Sequence, residues 1–279
     1  KMSPEEHLAH IKQTIDYALS KGFTVNLYLE DWSSGMRDSR DYLFMMMDEL
    51  VKLPIKRFLL PDTLGILNPL QCVEYMRQMV RRYPNSHFDF HAHNDYDLAV
   101  SNSLAAVLSG AKGLHVTVNG LGERWGNAPL ASVQVILKDM FEAKTNIKED
   151  RLNDISRLVE GYSGIAVAPN TPVVGDNVFT QVAGVHADGD NKDKLYCNDL
   201  VPERFGRHRE YALGKNSGKA NIIQNLNELG LELTQEQTKA VTSGGAAAFA
   251  VCVYSMRGIA AGNRYDAYSL CKQPDSSCF

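Results

Sequence analysis

The chain has 279 residues, 44% of them hydrophobic and 22% charged, with a formal net charge of −4. This is an ordinary globular composition with room for one large domain and appendages. The mild acidity offers nothing to nucleic acid or an anionic membrane, and no apolar run nears the roughly 18–20 residues of a bilayer span.

No signal peptide opens the chain. The five cysteines (Cys72, Cys197, Cys252, Cys271 and Cys278) are odd in number and form no C-x-x-C pair, which suits a reducing cytoplasm better than a disulfide framework. Ser3-Pro4-Glu5-Glu6 is a helix start, with a capping serine, proline in the first turn and glutamate three residues past the cap. The helix is expected to reach about Ser20, where Lys21-Gly22 ends it.

Phe23–Leu29 alternates and is β-rich, so a strand is expected that delivers Glu30 and Asp31 at its C-terminal end. A helix over about Ser39–Lys52 follows, then a strand over Ile55–Leu60 ending in Pro61-Asp62-Thr63. Next come a helix over Pro69–Arg82, a strand over His87–His91, a helix over Asp97–Ser109, and a strand over Leu114–Val118 with a polar loop to Asn127. A helix over Pro129–Lys144 closes this part. Four strand–helix units of about 30 residues each imply a parallel sheet covered by helices.

The polar clusters all fall at strand C-terminal ends: Glu30/Asp31, Asp62/Thr63, His91 to Asp95, and Asn119 to Asn127. In a (β/α)8 TIM barrel the active site is built from those ends, whereas a doubly wound sheet gathers its ligands at one switch point. The expectation is therefore half of such a barrel over residues 1–145, its remaining strands supplied from outside this stretch. His91 and His93 stand two apart on a strand and so project to one face, as two imidazoles sharing a cation would. Two half-buried sheet histidines are the plainer alternative.

Residues 146–241 read as a mostly helical linker subdomain. It has a helix to about Ser163, polar groups at 183–196 and 206–220, and short helices near Asn221–Gly230 and Thr234–Val241. Residues 242–279 turn rich in Ala, Gly and Ser with no amphipathic period. They read as an irregular tail, or as the product of a frame error near Ser243.

HAHNDYDLAVSNSLAA followed by NGLGERWGN resembles the 2-isopropylmalate, citramalate and homocitrate synthase family, which are acetyl-CoA-dependent condensing enzymes on a (β/α)8 barrel with a divalent metal. Further matching pieces are Pro61–Gly65, Gly184–Gly189 and Gly214–Lys219. The resemblance covers about residues 3–241 and implies a C-terminal portion of such an enzyme. Tyr28–Trp32 and Pro202–Arg207 are most similar to the pyruvate-using citramalate synthases.

By that resemblance His91 and His93 are metal ligands and Asn127 a weaker one. The cation is zinc, with Mn2+ or Mg2+ as alternatives. An Arg-Asp pair that supplies the remaining ligand is not found in this stretch. The resemblance gives Glu30 to the acid–base machinery, with a rim salt bridge as its alternative. His186 is expected to reach a neighbouring subunit's active site, implying a homodimer, with Tyr196 beside it; a loop histidine and a packing tyrosine are the alternatives. Thr63 is expected to contact the substrate carboxylate, or to be a turn residue only. Tyr28 stands where isopropylmalate synthases usually carry a small serine, and its ring is expected to favour the methyl of pyruvate. Glu123 and Arg124 are expected to form an ion pair at the barrel mouth.

The residue types fit that chemistry. A 2-oxo acid chelates a cation through carboxylate and ketone oxygens, the cation polarises the ketone, and a base must take a proton from the acetyl methyl. The competing readings are isopropylmalate synthase, a metal-dependent lyase on the same barrel, and an inactive scaffold.

Overall fold

The computed structural model describes residues 2–181, 197–212, 223 and 225. Helix α1 (Pro4–Ser20) begins as its sequence dictates: Ser3 Oγ accepts from the Glu6 N–H at 3.2 Å and the Glu6 carboxylate accepts from the Ser3 N–H at 2.8 Å. Both orphan donors of the first turn are thereby satisfied. Four parallel strands follow in spatial order β1 (Asn26–Tyr28), β2 (Arg57–Asp62), β3 (Phe88–Ala92) and β4 (Gly113–His115). The crossovers are α2 (Trp32–Asp38) with α3 (Arg40–Leu50), then α4 (Pro69–Arg82), α5 (Ala99–Leu108) and α6 (Leu130–Phe141). These are four strand–helix units in sequential order, a partial (β/α) barrel.

Strand alternation separates two faces. Phe58 and Leu60 of β2 and Phe88, Phe90 and Ala92 of β3 are buried in the apolar core with Met36, Met47, Met76 and Met79 from the helices. Tyr28, Arg57, Asp89, His91 and His115 occupy the other, polar face. The register carries Tyr28 beside Leu59, Leu59 beside Asp89, and His91 beside His115.

Two elements depart from the sequence expectation. The first strand is three residues long, because Phe23 lies 67% exposed and pairing with β2 begins only at Asn26. Helix α2 was not expected: Ser33, Ser34 and Gly35 are poor helix formers, yet Trp32, Ser33 and Met36 are buried and hold it in place. Ser39, at φ −147° and ψ 46°, divides α2 from α3.

Helix α7 (Leu152–Ser163) belongs with the strand–helix units: Asn119 Nδ2 donates to the Ser156 carbonyl at 2.9 Å and Ser156 Oγ to Asn119 Oδ1 at 2.5 Å. Of the described residues, 149–151, 168–181 and 197–212 belong to a second compact unit. There β5 (Thr180–Gln181) pairs in parallel with β6 (Glu210–Tyr211), and the rings of Phe179 and Phe205 stack at 5.7 Å. Arg207 donates to the carbonyls of Gly175 and Asp176 at 2.6 and 2.7 Å, and Arg204 pairs with buried Glu149 at 3.1 Å. Both arginines of the Pro202–Arg207 segment thus serve the packing of this unit. The helices expected near 221–241 and the tail 242–279 lie outside the described residues, apart from 223 and 225. Among the described residues no helix is long and apolar enough to cross a membrane.

Candidate active site

The site grows from the polar end of β3. With Phe88 and Phe90 drawn into the core, Asp89 and His91 must point the other way, and His93 continues the same row just past the strand. His91 Nε2 and His93 Nε2 face each other at 3.3 Å. Two ring nitrogens so close repel unless a proton or a cation lies between them. With zinc–nitrogen bonds of about 2.0–2.1 Å, that separation subtends about 105–110°, near the tetrahedral angle. Burial first, then His93 and His115, hold the His91 imidazole down to about 4. The ring is therefore neutral and its lone pair available at physiological pH.

Asn127 is buried and bridges in backbone register to His93. Its Nδ2 donates to the Leu121 carbonyl at 3.0 Å, while its Oδ1 is buried with no partner at full hydrogen-bond geometry, the side chain lying near enough to His91 to favour that ring's protonated form slightly. A buried amide oxygen left unsatisfied costs about 1–3 kcal/mol, so an acceptor aimed beside two imidazoles fits a cation. The loop is shaped for this approach. A Cβ at Gly122 would stand 1.9 Å from Asn127 Nδ2, and one at Gly126 would stand 2.0 Å from the Gly120 carbonyl. His91, His93 and Asn127 supply three donors, short of the four to six of a full shell. Among the described residues no cluster of three or more His, Cys, Asp and Glu side chains gathers for a metal.

Glu30 and Thr63 meet at the neighbouring strand ends. Thr63 Oγ1 donates to Glu30 Oε1 at 2.9 Å and accepts from the Asp31 N–H at 3.0 Å. Asp31 adopts the left-handed region at φ 55°. Thr63 therefore fixes Glu30 as well as the turn that follows it. Asp62 is fully buried, and burial pushes its carboxyl above the usual range although it accepts from the N–H groups of Ile66 and Leu67. Its work is to tie the loop after β2. Tyr28 and Glu30 also line a cavity of about 450 Å3 with Leu27, Leu29, Trp32 and Met46.

Arg124 forms the expected ion pair with Glu123, Nη1 to Oε2 at 3.7 Å, and makes shorter contacts besides. Its Nε is 2.8 Å from Asp95 Oδ1 and its Nη2 donates to the Thr63 carbonyl at 2.6 Å, whereas Glu123 lies 3.7 Å away and 87% exposed. The planar guanidinium prefers the two-toothed carboxylate contact, so Arg124 joins the loops after β2 and β3, and its pair with exposed Glu123 is the longer and weaker of the two.

The sequence reading missed His115 and Asp89. The Tyr28 hydroxyl lies 3.0 Å from His91 Nδ1 and 3.1 Å from His115 Nδ1, and His115 Nε2 faces Asp89 Oδ2 at 3.6 Å. Strand alternation would have set His115 in the same inward row as His91, but a lone histidine carries no spacing signal. His186 and Tyr196 lie outside the described residues.

Residues 1–159 match the profile of the family described as HMGL-like, and residues 173–247 that described as homocitrate synthase post-HMGL domain-like. The chain is 38% identical over 237 residues to a probable 2-isopropylmalate synthase of Methanopyrus kandleri, covering 85% of this chain and 47% of that protein. A putative (R)-citramalate synthase of the same organism is 37% identical over 240 residues, covering 85% and 46%. The homocitrate synthase of Saccharolobus solfataricus is 39% identical over 237 residues, covering 85% and 50%. The chain thus spans about half the length of these curated relatives. In fold it is similar to an HMG-CoA lyase of Bacillus subtilis, at a TM-score of 0.53 and 24% identity over 58% of this chain and 57% of that one. The hydroxymethylglutaryl-CoA lyase of Pseudomonas aeruginosa gives 0.52 at 18% identity, over 61% and 58%.

Proposed function

The chain belongs to the HMGL-like family, and from that premise we propose that it carries half of the active site of an acyltransferase condensing acetyl-CoA with a small 2-oxo acid, pyruvate by preference. The observation that carries the reading is the facing pair His91 Nε2 and His93 Nε2 beside the unpartnered Asn127 Oδ1, one strand from the Glu30–Thr63 pair. Relatives named for three different products, isopropylmalate, citramalate and homocitrate, are similar to this chain to nearly the same degree, so they support the reaction class and leave the substrate to the pocket.

His91, His93 and Asn127 would hold the divalent cation, zinc by the nature of its two imidazoles. When bound, it supplies Lewis acidity that polarises the ketone of a chelated 2-oxo acid. Glu30, positioned by Thr63, takes a proton from the acetyl methyl. The methyl carbon then forms a bond to the ketone carbon, and the ketone oxygen becomes a hydroxyl on gaining a proton. Water hydrolyses the thioester and releases the CoA thiol. We assign Thr63 also to the substrate carboxylate, and His186 with Tyr196 to the acid–base work from a second copy in a homodimer. We also assign the protein to a reducing cytoplasm, since its five cysteines are odd in number and form no C-x-x-C pair.

Tyr28 carries the substrate preference. Its hydroxyl is tethered to two imidazoles, so the ring cannot swing away to admit a branched chain. Shape exclusion discriminates strongly, where one lost methylene contact is worth about 1–3 kcal/mol. At saturating metal, Tyr28→Ser in the full-length protein is expected to raise turnover of 2-oxoisovalerate relative to pyruvate by tenfold or more, on the order of that energy. An unchanged ratio removes Tyr28 as the selector. A parent enzyme that already prefers 2-oxoisovalerate makes the chain an isopropylmalate synthase instead.

A further inference from the structure

Behind the histidine pair runs a row of polar groups whose far members, His115 and Asp89, the reaction itself does not use. It passes from His91 Nδ1 to the Tyr28 hydroxyl at 3.0 Å, to His115 Nδ1 at 3.1 Å, and from His115 Nε2 to the Asp89 carboxylate at 3.6 Å. Asp89 is only 2% exposed. Its Oδ1 accepts from His87 Nε2 at 2.8 Å and its Oδ2 from Arg57 Nη1 at 3.2 Å. Glycine at 113 makes the placement of this carboxylate possible: a Cβ there would stand 2.2 Å from Asp89 Oδ1. The carboxylate occupies the place of the missing side chain, two residue pairs below His115 in the ladder and on the same face.

The protons along this row can be counted. A neutral imidazole has one N–H and one lone pair, and a tyrosine hydroxyl donates one hydrogen bond. If His91 Nε2 keeps its lone pair for a cation, its proton sits on Nδ1 and is donated to the Tyr28 oxygen. Tyr28 must then give its own proton to His115 Nδ1. His115 is thereby left with its N–H on Nε2, and that atom faces an ionised carboxylate, which only accepts. No group in the row is asked to donate twice or accept without a donor. The reverse direction would aim a lone pair of His115 at Asp89 and put a proton on His91 Nε2, where the cation must bind.

We propose that Tyr28 and His115 form a one-way hydrogen-bonded row, oriented by the Asp89 carboxylate that faces His115 Nε2, and that this row fixes the tautomer of His91, making His115 and Asp89 positioning residues for the metal site. The proposal rests on the reading of His91 as a metal ligand. Partners of this kind, one layer behind a metal's histidines, typically govern metal affinity by 10–100-fold.

Two measurements on the full-length protein test it. In the zinc-loaded protein, long-range proton–nitrogen correlation spectra of the histidine rings are expected to show His91 protonated at Nδ1 and His115 at Nε2. His115 protonated at Nδ1 overturns the proposal. Zinc affinity, read by competition with a chromophoric chelator, is expected to fall roughly 10–100-fold in His115→Leu, because Tyr28 is then free to donate to His91. In His115→Gln, whose side-chain carbonyl can accept the tyrosine proton, affinity is expected to stay near that of the parent. Equal affinities in all three overturn the proposal. His91→Ala separates the two layers of inference: if it leaves zinc affinity unchanged, the metal-site reading has failed, and the row falls with it. Should the leucine variant not fold, the ring spectra of the parent protein still decide.

Discussion

Cys72 shows how far burial, with a carboxylate nearby, moves a side chain. It is fully buried on α4, its Sγ donates to the Asn102 carbonyl at 3.3 Å, and burial, followed by nearby Asp62, pushes its thiol up to about 12. Because the folded value lies above the ordinary value of 9.0, the native state keeps a proton that the unfolded chain loses as pH rises. Stability from this residue is therefore complete below about pH 9 and declines from there toward about 12, by up to about 1.4 kcal/mol per pH unit. Denaturant melts across that interval are expected to fall less steeply in Cys72→Ala than in the parent. Parallel slopes would mean that the thiol ionises within the fold. At this scale the sequence was most informative where residues act in pairs. His91 and His93 could be placed on one face because i and i+2 must share it on a strand. Alternation puts Asp89 on the face of His91, but His115 lies on the next strand and only the register brings it to Tyr28 and Asp89.

Among the elements, α2 was the least legible. Its serines and glycine argue against a helix, and what overrides them is the burial of Trp32, edge-on to Tyr75 at 6.4 Å and to Phe90 at 6.3 Å. A side chain only 1% exposed is visible as a core residue only once the sheet beneath it exists. The converse error is at Phe23, which looks like the start of a strand and stands in solvent. Trp32→Ala should accordingly cost about 3–5 kcal/mol of stability, and Phe23→Ala less than about 0.5 kcal/mol, both by chemical denaturation. A large loss at Phe23 would show that the strand extends beyond Asn26. Helices with a self-contained signal fared better: the capping box at Ser3 and Glu6 marks the start of α1 within the sequence itself.

Across the whole molecule, the parallel four-stranded order and the gathering of polar groups at strand ends follow from alternation and spacing, and the fold bears them out. The direction of side chains within that rim did not follow. Arg124 keeps its pair with its neighbour Glu123 and in addition reaches Asp95 and the Thr63 carbonyl, contacts made by loops that meet only in three dimensions. The central claim is that this rim belongs to a condensing enzyme. The most direct test is release of CoA thiol from acetyl-CoA by the zinc-loaded full-length protein, with pyruvate, with 2-oxoisovalerate and with no oxo acid. The account predicts thiol release that depends on the oxo acid, is fastest with pyruvate and is abolished by His91→Ala. Release that is absent with every small 2-oxo acid, or equal with and without one, would contradict it.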